Sequence, residues 1–306
     1  GEKNMPDYSK QKNFRIQWTH SQDPKSSPNS TISASVNYST SSYDKTSMSS
    51  LYDPTQYAQS QKTSSISYSR SFPDIGLTLS TSANLQMSSR DSTISLTLPN
   101  LDISLSRFYP FKRKKAAGKE RWYEKIAMSY TGSFSNSINT KENLLFHTSL
   151  IKDWRNGFRH SIPVQASFTI MKYITITPSL SYNERWYTVK EMRSWDEKKQ
   201  VEVKEQKTGF NRVYDWNFSI GAETKLYGMY KPWKKLFGDK IQMIRHVVTP
   251  RVSYSYHPDF SATQYGFYET YLKTDAKGNV TTVKYSPFSS SLYGTAPSGK
   301  SGSINM

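Results

Sequence analysis

The chain has no cysteine, which excludes a disulfide framework, a Cys-based zinc site and a thiol nucleophile. It is also short of apolar residues. Of its 306 residues only 35% are hydrophobic, and the mean hydropathy is −0.73, although a chain of this length can still bury a core. No uninterrupted apolar run reaches the roughly 18 residues that a transmembrane helix requires, which leaves β-strands as the remaining way into a membrane. Acidic side chains are few: 24 Asp and Glu against 41 Lys and Arg leave a formal net charge of +17. The opening Gly-Glu-Lys-Asn-Met-Pro-Asp-Tyr has neither an initiator methionine nor a charged-then-apolar signal, and the closing Ser-Gly-Ser-Ile-Asn-Met stops where an alternating pattern is starting. The chain is therefore read as an internal fragment of a longer protein.

Aromatic residues are abundant, with 22 Tyr, 14 Phe and 7 Trp, and so is serine. That mixture fits neither a charged disordered tail nor an ordinary α/β enzyme. The dominant signal is alternation of period two, which places apolar side chains on one face of a strand and small polar ones on the other. Ile32, Ala34, Val36 and Tyr38 alternate with Ser33, Ser35 and Asn37. Leu77, Leu79, Ala83, Leu85 and Met87 do the same, as do Ile126, Met128, Tyr130 and Phe134, then Ile162 to Ile170, then Ile174 to Tyr182, and Trp216 to Leu226. A weaker run spans Leu144 to Leu150, and a longer one from Ile241 to Tyr256 is interrupted at Pro250. Pro99-Asn100, between Ile94–Leu98 and Leu101–Leu105, reads as a tight hairpin by its turn residues. The total is about thirteen strands, all-β and antiparallel, without a competing amphipathic helix.

Strands of about 9–17 residues exceed the usual 5–6 or so of soluble sheets. Serine and threonine on the second face, aromatics near strand ends (Trp18, Phe108, Tyr109, Trp122, Tyr123, Trp186, Tyr187) and alternating short and long connections favour a transmembrane β-barrel. A soluble β-sandwich that binds polysaccharide is the alternative on periodicity alone. In a barrel, Leu96, Ile103, Met128, Phe168, Ile176 and Phe218 face lipid, while Ser95, Ser104, Ser129 and Ser167 face the lumen. Short connections near 22–29, 72–75, 99–100, 137–142 and 171–173 fall on the periplasmic side by this rule. Longer ones near 42–60, 109–123, 152–158, 190–207 and 258–280 fall outside. The connection at 227–240 is long for a periplasmic turn and has room for a short helix.

Gly294-Thr-Ala-Pro-Ser-Gly299-Lys300-Ser301 matches the phosphate-loop pattern letter for letter. Such a loop works between a buried strand and a helix N-terminus; here a strand-like alternation follows, so a polar hairpin loop is expected. The five histidines, His20, His147, His160, His246 and His257, show no metal-binding spacing and no pairing with a nucleophile motif. No catalytic constellation, cofactor site or metal site is read. Lys112, Arg113, Lys114 and Lys115, with Lys119 and Arg121 beyond, form the densest basic cluster. Three readings compete for it: lipid phosphate, nucleic acid, or solvated charge. The 190–207 stretch, with six cations against five anions, reads as an exposed loop or solvated hairpin.

Three phrases carry a resemblance: Asp91 to Lys115, Phe14 to Ser30 with its Trp18-Thr-His20, and Ile244-Arg-His-Val-Val-Thr-Pro-Arg-Val-Ser-Tyr. They resemble the barrel of the LptD family of lipopolysaccharide-assembly proteins, also called organic solvent tolerance proteins, over most of residues 12–306. Arg245, His246 and Pro250 are similar to a recurring feature of that barrel. The resemblance implies a large outer-membrane barrel, not an enzyme, that receives lipopolysaccharide from a periplasmic jellyroll bridge and inserts it into the outer leaflet. It also implies an LptE-like lipoprotein plug, periplasmic bridge proteins and outer-membrane lipid as partners, with no nucleic acid. On this reading residues 1–11 are a lead-in, 12–306 are part of the barrel, and the jellyroll and closing strands lie elsewhere. The disulfide-forming cysteines of better-known members have no counterpart here. Another outer-membrane barrel, a secretion or nutrient channel, is the rival.

Overall fold

The computed structural model describes residues 14–40, 52, 61–88, 91–115, 118–147, 153–231, 243–275 and 277–305. Branched and aromatic side chains alternating with serine and threonine favour extended backbone, and the chain forms strands where that alternation is sustained. β1 (Arg15–Ser21), β2 (Ser30–Ser39), β3 (Gln61–Phe72) and β4 (Leu77–Ser88) lead into β5 (Thr93–Phe108), β6 (Ala127–Lys141), β7 (Arg155–Gln165) and the short β8 (Phe168–Ile170). The two longest strands follow, β9 (Ile174–Asp196) and β10 (Val201–Thr224). β11 (Leu226–Tyr230), β12 (Ile244–Val248), β13 (Arg251–His257), β14 (Glu269–Thr274), β15 (Val280–Tyr285) and β16 (Ser301–Asn305) complete the order.

Twelve strands form one sheet, ordered β1-β2-β3-β4-β5-β6-β7-β9-β10-β13-β16 with β8 beside β9. Its pairings are antiparallel, as in the wall of an up-and-down barrel. The other two sheets are the two-stranded hairpins β11–β12 and β14–β15. Among the described residues the other sheets are these two-stranded hairpins, too small for the second layer of a sandwich, so the sandwich alternative is not met.

The register carries one apolar face across the wall. Leu79 lies opposite Ile103, Met128 opposite Val164, Val164 opposite Leu180, Leu180 opposite Phe218, and Phe218 opposite Tyr256. Ile16, Trp18, Ile32, Ile66, Leu180, Ile220, Val252 and Ile304 on this face are exposed, an arrangement that water penalises and lipid does not. The opposite face is polar and hydrogen-bonded across strands. Ser33 meets Ser67 at 2.7 Å, Ser179 meets Ser219 at 2.6 Å, Ser255 meets Ser303 at 2.7 Å, and Ser133 donates to Asp102 at 2.5 Å.

Two local expectations are corrected. Pro99-Asn100 is not a hairpin: β5 runs straight through it, with a cis Leu98–Pro99 peptide. Between Ser82 and Asn84 of β4, β5 advances from Thr97 to Asn100, and this bulge inserts one extra residue. The insertion cancels the odd spacing between Leu98 and Leu101, so Leu96 and Ile103 stay on the apolar face. The Leu144 run is also no strand, because 142–147 form a 3₁₀ helix; residues 148–150 lie outside the described residues. So do 1–11, most of 42–60, and the 232–240 part of the stretch given room for a helix.

Losing both the hairpin at 99–100 and the strand at Leu144 changes the grouping of the connections: β6 runs through the turn expected at 137–142, which belongs to the upper end and not with the short turns. The lower end of the wall joins 22–29, 73–76, 109–126, 166–173 and 225–250, and the upper end joins 40–60, 89–92, 142–154, 197–200 and 258–300. The basic loop after β5 therefore sits with the short turns at 22–29 and 73–76, against the expected grouping. At the lower end β10–β11 and β12–β13 keep one register, from Glu223 opposite Arg251 to Leu226 opposite Val248, so the 225–250 connection is a projecting hairpin.

Strand length fixes the upper end. About 9–11 tilted residues cross a bilayer, whereas β9 and β10 have 23 and 24. Their surplus forms a hairpin over 190–207 that stands clear, paired from Val201 opposite Asp196. The 258–300 segment folds against it. Phe260, Phe267, Phe288 and Ala296 are buried with Tyr187 and Val213, and the Tyr187 hydroxyl donates to the Gly294 carbonyl at 2.7 Å.

Candidate functional site

On the apolar face the lipid-suited band of β9 ends in polar chemistry at Glu184. Arg212 pairs with it at 2.6 Å, the Trp186 indole donates to it at 2.6 Å, and the Tyr182 hydroxyl also donates to it. From Ile174 to Glu184 is one bilayer's worth of strand. This cluster therefore marks the upper membrane boundary, and Met171 and Tyr173, both exposed, mark the lower one.

Charged and amide side chains meet on the other face. Arg185 pairs with Asp215 at 2.5 Å, and Asn183 donates to the same carboxylate at 3.1 Å. Below them, near the lower end, the wall lines an open cavity of about 520 Å³. Its floor is made of small residues, Ser167, Thr177, Ser179, Ser219, Gly221 and Ser253, because the polar face here is built from side chains that occupy little volume. Its rim carries Arg107, Lys125 and Arg251 against one acid, Glu223. Arg251 reaches Glu223 at 2.6 Å. Among the described residues neither Arg107 nor Lys125 pairs with a carboxylate.

The basic loop runs from Tyr109 to Ile126 beside this rim. Arg113 is committed within it: its Nε lies 2.7 Å from Oε1 of Glu124 and its Nη2 donates to Oε2 at 3.0 Å. Glu124 is 1% exposed and also accepts from the backbone amides of Arg121 and Arg113. Arg113 and these amides hold its carboxyl down at about 2. Lys112 lies 5.4 Å from the Tyr109 ring centroid, and Lys114 and Lys115 are exposed. The four basic residues are thus not equivalent.

Arg245 and His246 lie on β12 in the projecting hairpin, away from the cavity. Arg245 stacks over Tyr227 at 4.7 Å, and His246 sits opposite Gly228. Pro250 occupies the break before β13, where its carbonyl accepts from the Thr224 amide at 3.2 Å.

The phosphate-loop look-alike fails its context test. It leads directly into β16 rather than a helix. The Gly299 amide donates at 2.8 Å to Asp259, a carboxylate of this same chain, and the Ser261 hydroxyl with that amide holds Asp259 below its ordinary range. His160 bonds Tyr130 at 2.8 Å and lies between Phe158 and Trp186, tilted against both rings, which is packing geometry. Among the described residues no cluster of three or more His, Asp or Glu could hold a metal ion.

Sequence reasoning missed Arg107, Lys125, Glu223 and Arg251. The signal was available in part: Arg107, Glu223 and Arg251 lie at lower strand ends on the polar side and Lys125 ends the 3₁₀ turn just before β6, but only the strand order β5-β6-β7-β9-β10-β13 brings them together.

A family model described as LptD protein matches residues 1–306. No curated protein and no solved structure matches the chain.

Proposed function

Because the chain belongs to the LptD protein family, a family of lipopolysaccharide transport and assembly at the outer membrane, we propose that it is part of the barrel wall that inserts lipopolysaccharide into the outer leaflet. One observation carries this reading: the sheet has a continuous apolar face suited to lipid and a hydroxyl-rich, charge-bearing face suited to a sugar cargo. A wall of this kind conducts and does not catalyse. The work of moving the lipid is supplied elsewhere, and the wall provides a path on which no polar group of the cargo meets hydrocarbon.

The lower end, with 22–29 and 73–76, is the periplasmic entrance on this reading, and the upper end with the 258–300 segment faces outside. A periplasmic jellyroll bridge delivers at the lower end, and an LptE-like lipoprotein occupies the lumen against the polar face. Lys112, Lys114 and Lys115 meet lipid phosphates at the entrance, with Arg113 held back by Glu124. Arg245, His246 and Pro250 shape the hairpin that projects towards the bridge.

The test is depletion of the intact protein in cells, followed by measurement of newly made lipopolysaccharide at the surface. Surface arrival stops if the reading holds. Undiminished arrival would assign the wall to another transport task.

A further inference from the structure

The cavity at the lower end of the polar face has features that a general conduit does not need. A conduit requires polar lining, which the serine ladders supply along the whole wall. Here the lining also recedes to a volume of about 520 Å³, within the roughly 300–1,000 Å³ of pockets that hold small molecules. The recess is created by side-chain choice: Ser179 opposite Ser219 and Thr177 opposite Gly221 replace bulk with hydroxyls. At Gly221 even a methyl group would stand 3.0 Å from the Thr177 hydroxyl. Hydroxyls at close spacing match the hydroxyl groups of a sugar ring, each able to donate and accept.

Charge sharpens the assignment. Three cations and one acid ring the cavity, and the acid is taken by Arg251 at 2.6 Å. Arg107 and Lys125, which pair with no carboxylate among the described residues, leave an excess of two positive charges on the β5–β6 side. A neutral sugar needs no such excess, and a carboxylate would need one cation. A phosphate monoester carries close to two negative charges at neutral pH, and a guanidinium beside an ammonium is a strong arrangement for it.

We propose that this cavity is a binding station for a phosphorylated sugar, with the phosphate on Arg107 and Lys125 and the ring over Ser179, Ser219 and Ser253. The proposal rests on the transport reading for the source of that sugar, a glycolipid headgroup arriving at the entrance. Its position beside the basic loop gives the loop a role: exposed Lys114 and Lys115 raise the local concentration of anionic headgroups, and the cavity selects among them.

The test uses the full-length protein in detergent micelles and titrates three probes: a bis-phosphorylated acylated glucosamine disaccharide, the same lipid after phosphatase treatment, and inorganic phosphate. The phosphorylated lipid binds. Arg107→Gln with Lys125→Gln weakens it at least about tenfold, while Arg107→Lys, which keeps the charge, weakens it less. Barrel assembly of each variant is checked by resistance to unfolding in detergent, and a second variant, Lys114→Gln with Lys115→Gln, slows association more than it changes the bound state. Equal binding of the dephosphorylated lipid overturns the phosphate assignment. Displacement by inorganic phosphate at equal concentration overturns the glycolipid source. Undiminished binding by the assembled Arg107→Gln, Lys125→Gln protein overturns the site. None of these outcomes touches surface arrival of lipopolysaccharide after depletion, which tests the transport reading separately.

Discussion

Glu124 organises the 109–126 loop although it is an acid in the most basic part of the chain. Its carboxylate accepts from the Arg113 guanidinium and from two backbone amides, so removing it leaves a cation and two donors without their partner. Glu124→Gln should make the 109–126 loop cleave faster in limited proteolysis, with the strands unaffected. The pH dependence has a definite sign. With the carboxyl held down at about 2 by Arg113 and the amides, the loop keeps its order above the ordinary carboxylate value near 4.5 and loses it progressively as pH falls towards 2. Protease sensitivity measured from pH 6 down to pH 3 checks it; a flat profile would show that Glu124 is not what orders the loop. Gly76 is a second decisive residue. It ends the turn after β3 at φ +65°, and a Cβ there would stand 2.2 Å from the Ser106 hydroxyl. Gly76→Ala should cost about 1–3 kcal/mol through backbone strain and that clash, read as a lowered midpoint in urea-driven unfolding from bilayers.

Faces matter most for individual strands. Arg in place of Phe218, which faces lipid by register between Leu180 and Tyr256, should cost about 2–4 kcal/mol in a bilayer folding assay, and Arg in place of Ser219 far less. Equal costs would mean that the two faces do not separate lipid from lumen. This face assignment was legible in the sequence, because period two needs no partner strand: Leu96, Ile103, Met128, Phe168, Ile176 and Phe218 share the apolar face and Ser95, Ser104, Ser129 and Ser167 the polar one. Pro99-Asn100 was not legible. A turn and a bulge break the alternation by the same one residue, and only the partner strands β4 and β6, which run past the break, tell them apart. The run from Leu144 failed for a related reason, since a short apolar stretch suits a 3₁₀ turn as well as a strand. For the cavity, the residue types were visible but their meeting was not, because Arg107 on β5 and Arg251 on β13 are brought together by five successive strand pairings.

At the scale of the whole wall, one misread turn reversed the placement of the basic loop. With β5 continuous, 109–126 shares an end with 22–29, 73–76 and the 225–250 hairpin, and 40–60, 142–154 and 258–300, the longest connection of all, share the other. Long connections face outwards in outer-membrane barrels, so an epitope inserted after Gly118 should be hidden from antibody on whole cells and reached once the outer membrane is opened. One inserted after Lys277, at the β14–β15 turn, should be reached on whole cells. The central claim is that cargo travels along the polar face, and site-specific photo-crosslinking in living cells tests it most directly. A photoreactive residue at Ser179, Ser219 or Ser253 should capture lipopolysaccharide in transit and lose it when supply from the inner membrane is stopped, while one at Leu180 or Ile220 should capture only bulk membrane lipid whether or not supply continues. Supply-dependent capture from Leu180 and Ile220, with none from the serines, would contradict the account.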